Sequence, residues 1–139
     1  MNTSADDRED PSFRPNAYLS LLGIRRLIPT DGDSQAELVI TDKLKNPSGV
    51  THGGAIFSLL DGCMSGVLRK HLSPGESAST IECKINYLKG VRDGKLLCTA
   101  RLVKRGSQVS VIEAEVIDQD NALVAKGLAT FMVVKPRAR

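Results

Sequence analysis

Residues 46–63 read NPSGVTHGGAIFSLLDGC, and the fold turns on this stretch. It holds one of the chain's two histidines, four glycines and a single acid. From Ala55 to Leu68 every residue is apolar or small except Asp61. Such a run predicts a helix over about Gly53 to His71, broken by SPGE at 73–76. A helix apolar nearly all round must be covered on most sides.

The flanking segments supply the cover. Upstream, NAYLSLLG (16–23) predicts a short helix stopped by Gly23. IRRLIP (24–29) and AELVIT (36–41) read as strands around the turn TDGD, and KLKNPSGVT (43–51) as a loop. Downstream the period becomes two. Ile81, Cys83, Ile85 and Tyr87 alternate with Thr80, Glu82, Lys84 and Asn86, the mark of a half-buried strand. RDGK (92–95) signals a hairpin. LLCTARLVKR (96–105), VSVIEAEVID (109–118) and ALVAKGLATFMVV (122–134) follow as strands, separated by RGSQ and DQDN. The order is two strands, one long helix and four strands. This predicts an α+β domain at 16–139, with a largely antiparallel sheet wrapped around one helix, preceded by a flexible tail at 1–15. Long edge strands on that sheet would invite pairing with a second copy.

Composition narrows the function classes. At 139 residues with 41% hydrophobic content, the chain has the length for one domain with a real core. Asn46 to Leu60 is the longest run free of Asp, Glu, Lys and Arg, too short for a membrane span. The opening MNTSADDREDP is polar and acidic and does not read as a signal peptide. Cys63, Cys83 and Cys98 form no CxxC pair, so neither a zinc site nor a disulfide framework is expected, and the expected compartment is a reducing cytoplasm. The net charge is +3 and aromatics are only 4%, which does not support a nucleic-acid partner. Mild positive charge suits a small polyanionic ligand.

Asp61 carries the chemical question. An isolated carboxylate in an apolar setting needs a partner, a solvated cleft or a raised pKa. The helix can also simply turn it to solvent, although Phe57, Ser58, Met64, Ser65 and Leu68 at helical spacing mark no charged face. His52 fits a loop-closing role, with its ring bonded to a backbone group. Gly53 and Gly54 open the helix, where free amides and the absence of Cβ atoms allow close approach of a carbonyl oxygen gaining negative charge.

The pattern N-x-x-G-x-x-H-G-G-x(6)-D, carried by Asn46, Gly49, His52, Gly53, Gly54 and Asp61, resembles the signature of hotdog-fold acyl-CoA thioesterases of the PaaI-like and thioesterase superfamily member 2 type. INYLKGVRDG (85–94) is similar to a second segment of that family, and the resemblance spans roughly 16–134. It implies that Asp61 activates the attacking water or attacks the thioester itself. Thr80 would help hold that water. The Gly53 amide would polarise the thioester carbonyl, with Asn46 assisting, and these groups would face each other across a homodimer. It also implies an acyl-CoA substrate, aryl or medium-chain, and no metal or redox cofactor. Gly90 departs from the family's usual proline before Arg92.

Coenzyme A brings phosphates. Lys89, Arg92, Lys104, Arg105 and Gly106 lie near predicted strand ends and are the candidates to meet them, with His52 and Gly54 beside the thioester. The expected assembly is a homodimer or a dimer of such dimers, with no membrane association. Two rivals have different signatures. A non-catalytic acyl-CoA sensor of this fold usually carries a DNA-binding segment, for which a 15-residue tail is short. A hotdog dehydratase depends on an active-site histidine in a different motif.

Overall fold

In the computed structural model, which describes residues 8–136, the apolar stretch forms helix α2, Gly53–Val67, continued by a 3-10 turn over Leu68–His71. Ile56, Leu59, Leu60, Cys63, Met64 and Val67 are buried, and they recur at three- and four-residue spacing. Phe57, Asp61 and Ser65 form a half-buried stripe along the remaining side. The short helix α1, Ala17–Leu22, is capped by Asn16 at one end and by Gly23 at the other.

Six strands enclose α2: β1 Ile24–Leu27, β2 Ser34–Val39, β3 Ser77–Tyr87, β4 Lys95–Arg105, β5 Val109–Ile117 and β6 Leu123–Val134. They form one antiparallel sheet in the order β1-β2-β4-β5-β6-β3. The chain leaves β2, runs through α2 and enters the sheet again at its far edge. Alternate residues of β4, β5 and β6 point at the helix, among them Leu96, Cys98, Ile112, Val116, Ala129 and Phe131, all nearly or fully buried. Helix and sheet pack tightly at Gly127, where a Cβ would lie 2.6 Å from Leu60 Cδ2. Leu60 is itself fully buried, so it has little room to yield.

The expected elements form in the expected order, but β3 does not alternate uniformly. Its pairing with β6 shifts between Thr80 and Glu82: Thr80 faces Phe131, and Glu82 faces Thr130. Ile81 is the extra residue of this β-bulge and is 53% exposed. The bulge changes the phase of the strand. Thr80 shares the inner face with Ala78 before the bulge, and Cys83 and Ile85 take that face after it. Strict alternation would place Thr80 on the face opposite Cys83.

Residues 1–7 lie outside the described residues. Residues 8–13, which the sequence suggests as part of a flexible tail, lie against the domain. Glu9 bridges to Leu27, the Asp10 amide bonds to the Arg26 carbonyl, and the Phe13 ring sits between the guanidinium groups of Arg26 and Arg69, 4.5 and 4.1 Å from its centroid. An open strand edge at β1 and a cation pair needing an aromatic surface account for this ordering. Among the described residues no helix is long and apolar enough to cross a membrane.

Candidate active site

The loop ahead of α2 is braced from several sides. Asn46 Oδ1 accepts hydrogen bonds from the Ser48 and Val50 amides at 3.0 and 3.2 Å. Both contacts require an acceptor, so the oxygen is turned into the loop and Nδ2 is left pointing away. Nδ2 has no hydrogen-bond partner among the described residues. The Thr51 hydroxyl donates to the Val91 carbonyl at 2.7 Å, and Arg92 donates to the Ser48 carbonyl at 2.9 Å. These bonds tie the loop to the segment after β3.

His52 is the N-cap of α2. Its amide bonds to the Leu44 carbonyl at 2.7 Å, and its Nδ1 accepts from the Gly54 amide at 2.8 Å. The Ala55 amide returns to the His52 carbonyl. Of the amides from 52 to 55, only that of Gly53 has no acceptor among the described residues. A polarised donor therefore stands open at the positive end of the helix. The next-door carbonyl, Gly53 O, accepts from the Tyr87 hydroxyl at 2.8 Å.

Two turns further along, Asp61 sits on the half-buried stripe, and Thr80 Oγ1 donates to its Oδ1 at 2.9 Å. The bulge at Ile81 makes this contact possible. Cys83 lies on the same inner face. Burial, then the charges of Asp61 and Glu82, push its thiol up to about 11, so it is a neutral thiol rather than a competing nucleophile. A cleft of about 300 Å³ opens beside Asp61 and is lined by Asn16, Tyr18, Phe57, Ser58 and Ser65 among others. The Tyr18 and Ser58 hydroxyls are 2.7 Å apart within it.

Asp61 and Thr80 are thus brought together, and so are His52, Gly53 and Gly54. The two groups are not brought together within one chain. Gly53 and Asp61 are about 12 Å apart along the helix axis at roughly 1.5 Å per residue. One carbonyl cannot meet both, with a hydrogen bond at its oxygen and attack at its carbon. The basic candidates also divide. Arg92 lies against the loop ahead of α2, and Lys89 is engaged by Asp118 at 2.5 Å, which raises the Lys89 pKa and lowers that of Asp118. Lys104 and Arg105 are the last two residues of β4 and Gly106 follows them, about 30 Å from the start of that strand at roughly 3.3 Å per residue. Arg105 turns back onto the Gly106 carbonyl.

Tyr87, Tyr18 and Ser58 join the site without having been singled out in the sequence. For Tyr87 the signal was present: period two places it on the inner face with Cys83 and Ile85. Tyr18 and Ser58 are separated by 40 positions and left no local pattern.

The chain is similar in sequence and fold to known proteins. The Thioesterase superfamily profile matches residues 48–125. The structure of conserved protein PA5202 from Pseudomonas aeruginosa is 40% identical, with 86% of this chain and 95% of that one covered and a TM-score of 0.79. BH2602 from Bacillus halodurans, solved with CoA, is 30% identical over 87% of this chain and 78% of its own, with a TM-score of 0.76. The 1,4-dihydroxy-2-naphthoyl-CoA hydrolase of Listeria monocytogenes is 27% identical over 116 residues, 84% of this chain and 94% of its own.

Proposed function

This chain belongs to the thioesterase superfamily, and from that premise we propose that it hydrolyses an acyl-CoA to the free acid and CoA at a site assembled from two copies of the chain. The observation that carries the reading is the separation of two half-sites on one helix. The open Gly53 amide suits a developing oxyanion, and the Thr80–Asp61 pair suits delivery of the nucleophile. A second copy, related by a two-fold axis, would set the Gly53 of one chain opposite the Asp61 of the other. The exposed β3 edge, with Ile81 and Tyr87 each about half exposed, offers a surface for that pairing. Dimers could associate further into a dimer of dimers.

In this scheme Asp61 takes a proton from water as the water oxygen bonds to the thioester carbon, or it attacks that carbon itself. In either case the carbonyl oxygen gains charge against the Gly53 amide and the outward Nδ2 of Asn46. The C–S bond then breaks and the CoA sulfur leaves, protonated by Asp61 in the water route or by water in the other. Where Asp61 has attacked carbon, water then cleaves the acyl–Asp61 anhydride to release the free acid and restore the carboxylate. Carboxylate, hydroxyl and amide supply every role, so the scheme asks for no metal or redox cofactor. The reaction suits a cytoplasmic enzyme supplied with aryl or medium-chain acyl-CoA. Release of free thiol across a panel of acyl-CoA substrates tests the reading. Tight acyl-CoA binding with no thiol released would instead mark a binding module, and hydration of an enoyl-CoA would mark a dehydratase.

Asn46→Ala should lower kcat more than it raises KM, because the Nδ2 contact strengthens as the oxyanion forms. A change confined to KM would make Asn46 a loop brace only. Lys104, Arg105 and Gly106 are the stronger candidates for the CoA phosphates, since Lys89 is already held by Asp118. Arg105→Ala should weaken CoA thioesters several-fold more than an N-acetylcysteamine thioester, which has no phosphates. Added salt should reproduce part of this loss by screening. Equal losses on both substrates would assign Arg105 a structural role.

A further inference from the structure

Two consecutive glycines are a poor mount for a catalytic donor. Glycine has the widest backbone freedom, and the first turn of a helix lacks intrahelical partners for its amides. The peptide joining Gly53 to Gly54 is nevertheless held at both ends. Its N–H, on Gly54, donates to His52 Nδ1 at 2.8 Å. Its C=O, on Gly53, accepts from the Tyr87 hydroxyl at 2.8 Å. The phenol ring also closes over Gly53: a Cβ at this position would lie 3.2 Å from Tyr87 Cζ and 3.2 Å from its hydroxyl oxygen. Burial raises the phenol pKa, so the hydroxyl keeps its proton and remains a donor.

Tyr87 reaches this point by the regular two-residue period of β3 beyond the bulge. After Ile81 the inner face passes to Cys83, Ile85 and Tyr87, and the last of these arrives at the start of α2. The same strand therefore positions both halves of the chemistry: Thr80 on Asp61 before Cys83, and Tyr87 on Gly53 at its end.

The open Gly53 N–H belongs to the preceding peptide, whose carbonyl on His52 accepts from the Ala55 amide. We propose that Tyr87 is a positioning residue for thioester hydrolysis, holding the following Gly53–Gly54 peptide through its hydroxyl and so fixing the Gly53 torsions that keep that N–H aimed at the oxyanion. The inference rests on the assignment of Gly53 as the oxyanion donor. This role requires no contact between Tyr87 and the substrate. The residue acts by removing the torsional freedom that the two glycines would otherwise have, which matters because an oxyanion donor is effective only while it stays in place.

Tyr87→Phe keeps the ring against Gly53 and removes only the hydroxyl. In the full-length protein kcat should fall roughly tenfold, the rate equivalent of about one hydrogen bond, with KM and the melting temperature little changed. The Gly54 amide, followed by hydrogen exchange in NMR, should lose protection in the variant, because the far end of its peptide is released. Three outcomes would overturn the proposal: full kcat, a fall in kcat with Gly54 protection intact, or a loss shared equally by kcat, KM and melting temperature. If the wild-type protein releases no thiol from any acyl-CoA, that result falls on the thioesterase reading. Gly54 exchange then decides the clamp by itself, and unchanged protection refutes it.

Discussion

Replacing Asp61 with asparagine should lower kcat by about 10²–10⁴-fold, the usual cost of losing a general base. The substitution is nearly isosteric, and its Oδ1 can still accept the 2.9 Å hydrogen bond from Thr80. The α2 stripe and the cleft beside it should therefore keep their shape, and acyl-CoA should still bind. What is lost is the capacity to take a proton or to attack carbon. Cys83 cannot substitute, because its thiol is pushed up to about 11 and is neutral near pH 7. Measuring single-turnover rates and acyl-CoA affinity on the purified variant separates the two effects. Near wild-type turnover would remove Asp61 from the chemistry, whatever the fold family.

The second large effect is a gain from almost nothing. Asn46→Ala and Asp61→Asn each damage a different half-site. If every active site joins Gly53 and Asn46 of one chain to Asp61 and Thr80 of another, co-refolding the two variants in equal amounts should restore activity. Random pairing makes roughly half the dimers mixed. In a mixed dimer one site carries both defects and the other carries neither, so about a quarter of all sites are intact. Recovery should approach that fraction of wild-type activity, well above the level of either variant alone. A site built within one chain would keep one defect everywhere, and mixing would restore nothing. A tag on one variant confirms that subunits exchanged. The roughly 12 Å that separates the half-sites along α2 is the physical ground for expecting rescue.

Much of this was visible in the residues themselves. The apolar run from Ala55 to Leu68 required a helix needing cover, and the strands downstream announced themselves by period two and by turn residues at RDGK, RGSQ and DQDN. His52, Gly53 and Gly54 were legible as a helix start because capping is local chemistry: the Nδ1 contact spans only two residues. The resemblance through Asn46, Gly49 and Asp61 depends on spacing along a single loop and helix. In each case the physics acts between near neighbours, so it leaves a pattern in the order of residues.

The rest depends on where distant segments meet. Alternation assigned Thr80 to the face opposite Cys83, yet the bulge at Ile81 turns it toward Asp61, 19 positions away. The contact of Tyr87 with Gly53, 34 positions away, likewise depends on where the end of β3 meets the start of α2. The basic residues looked like one set in the sequence, but β4 carries Lys104 and Arg105 to the other end of the sheet from Arg92. Residues 8–13 read as a tail because nothing local orders them, while the β1 edge and the Arg26–Phe13–Arg69 stack do. The sequence alone thus determined the elements, their order and the chemistry at the start of α2, because these follow from short-range propensity and periodicity. Only the tertiary structure decided which side chains share a site, because a single extra residue in one strand shifts the facing on one side of it against the other, and that shift shows only in the pairing with β6.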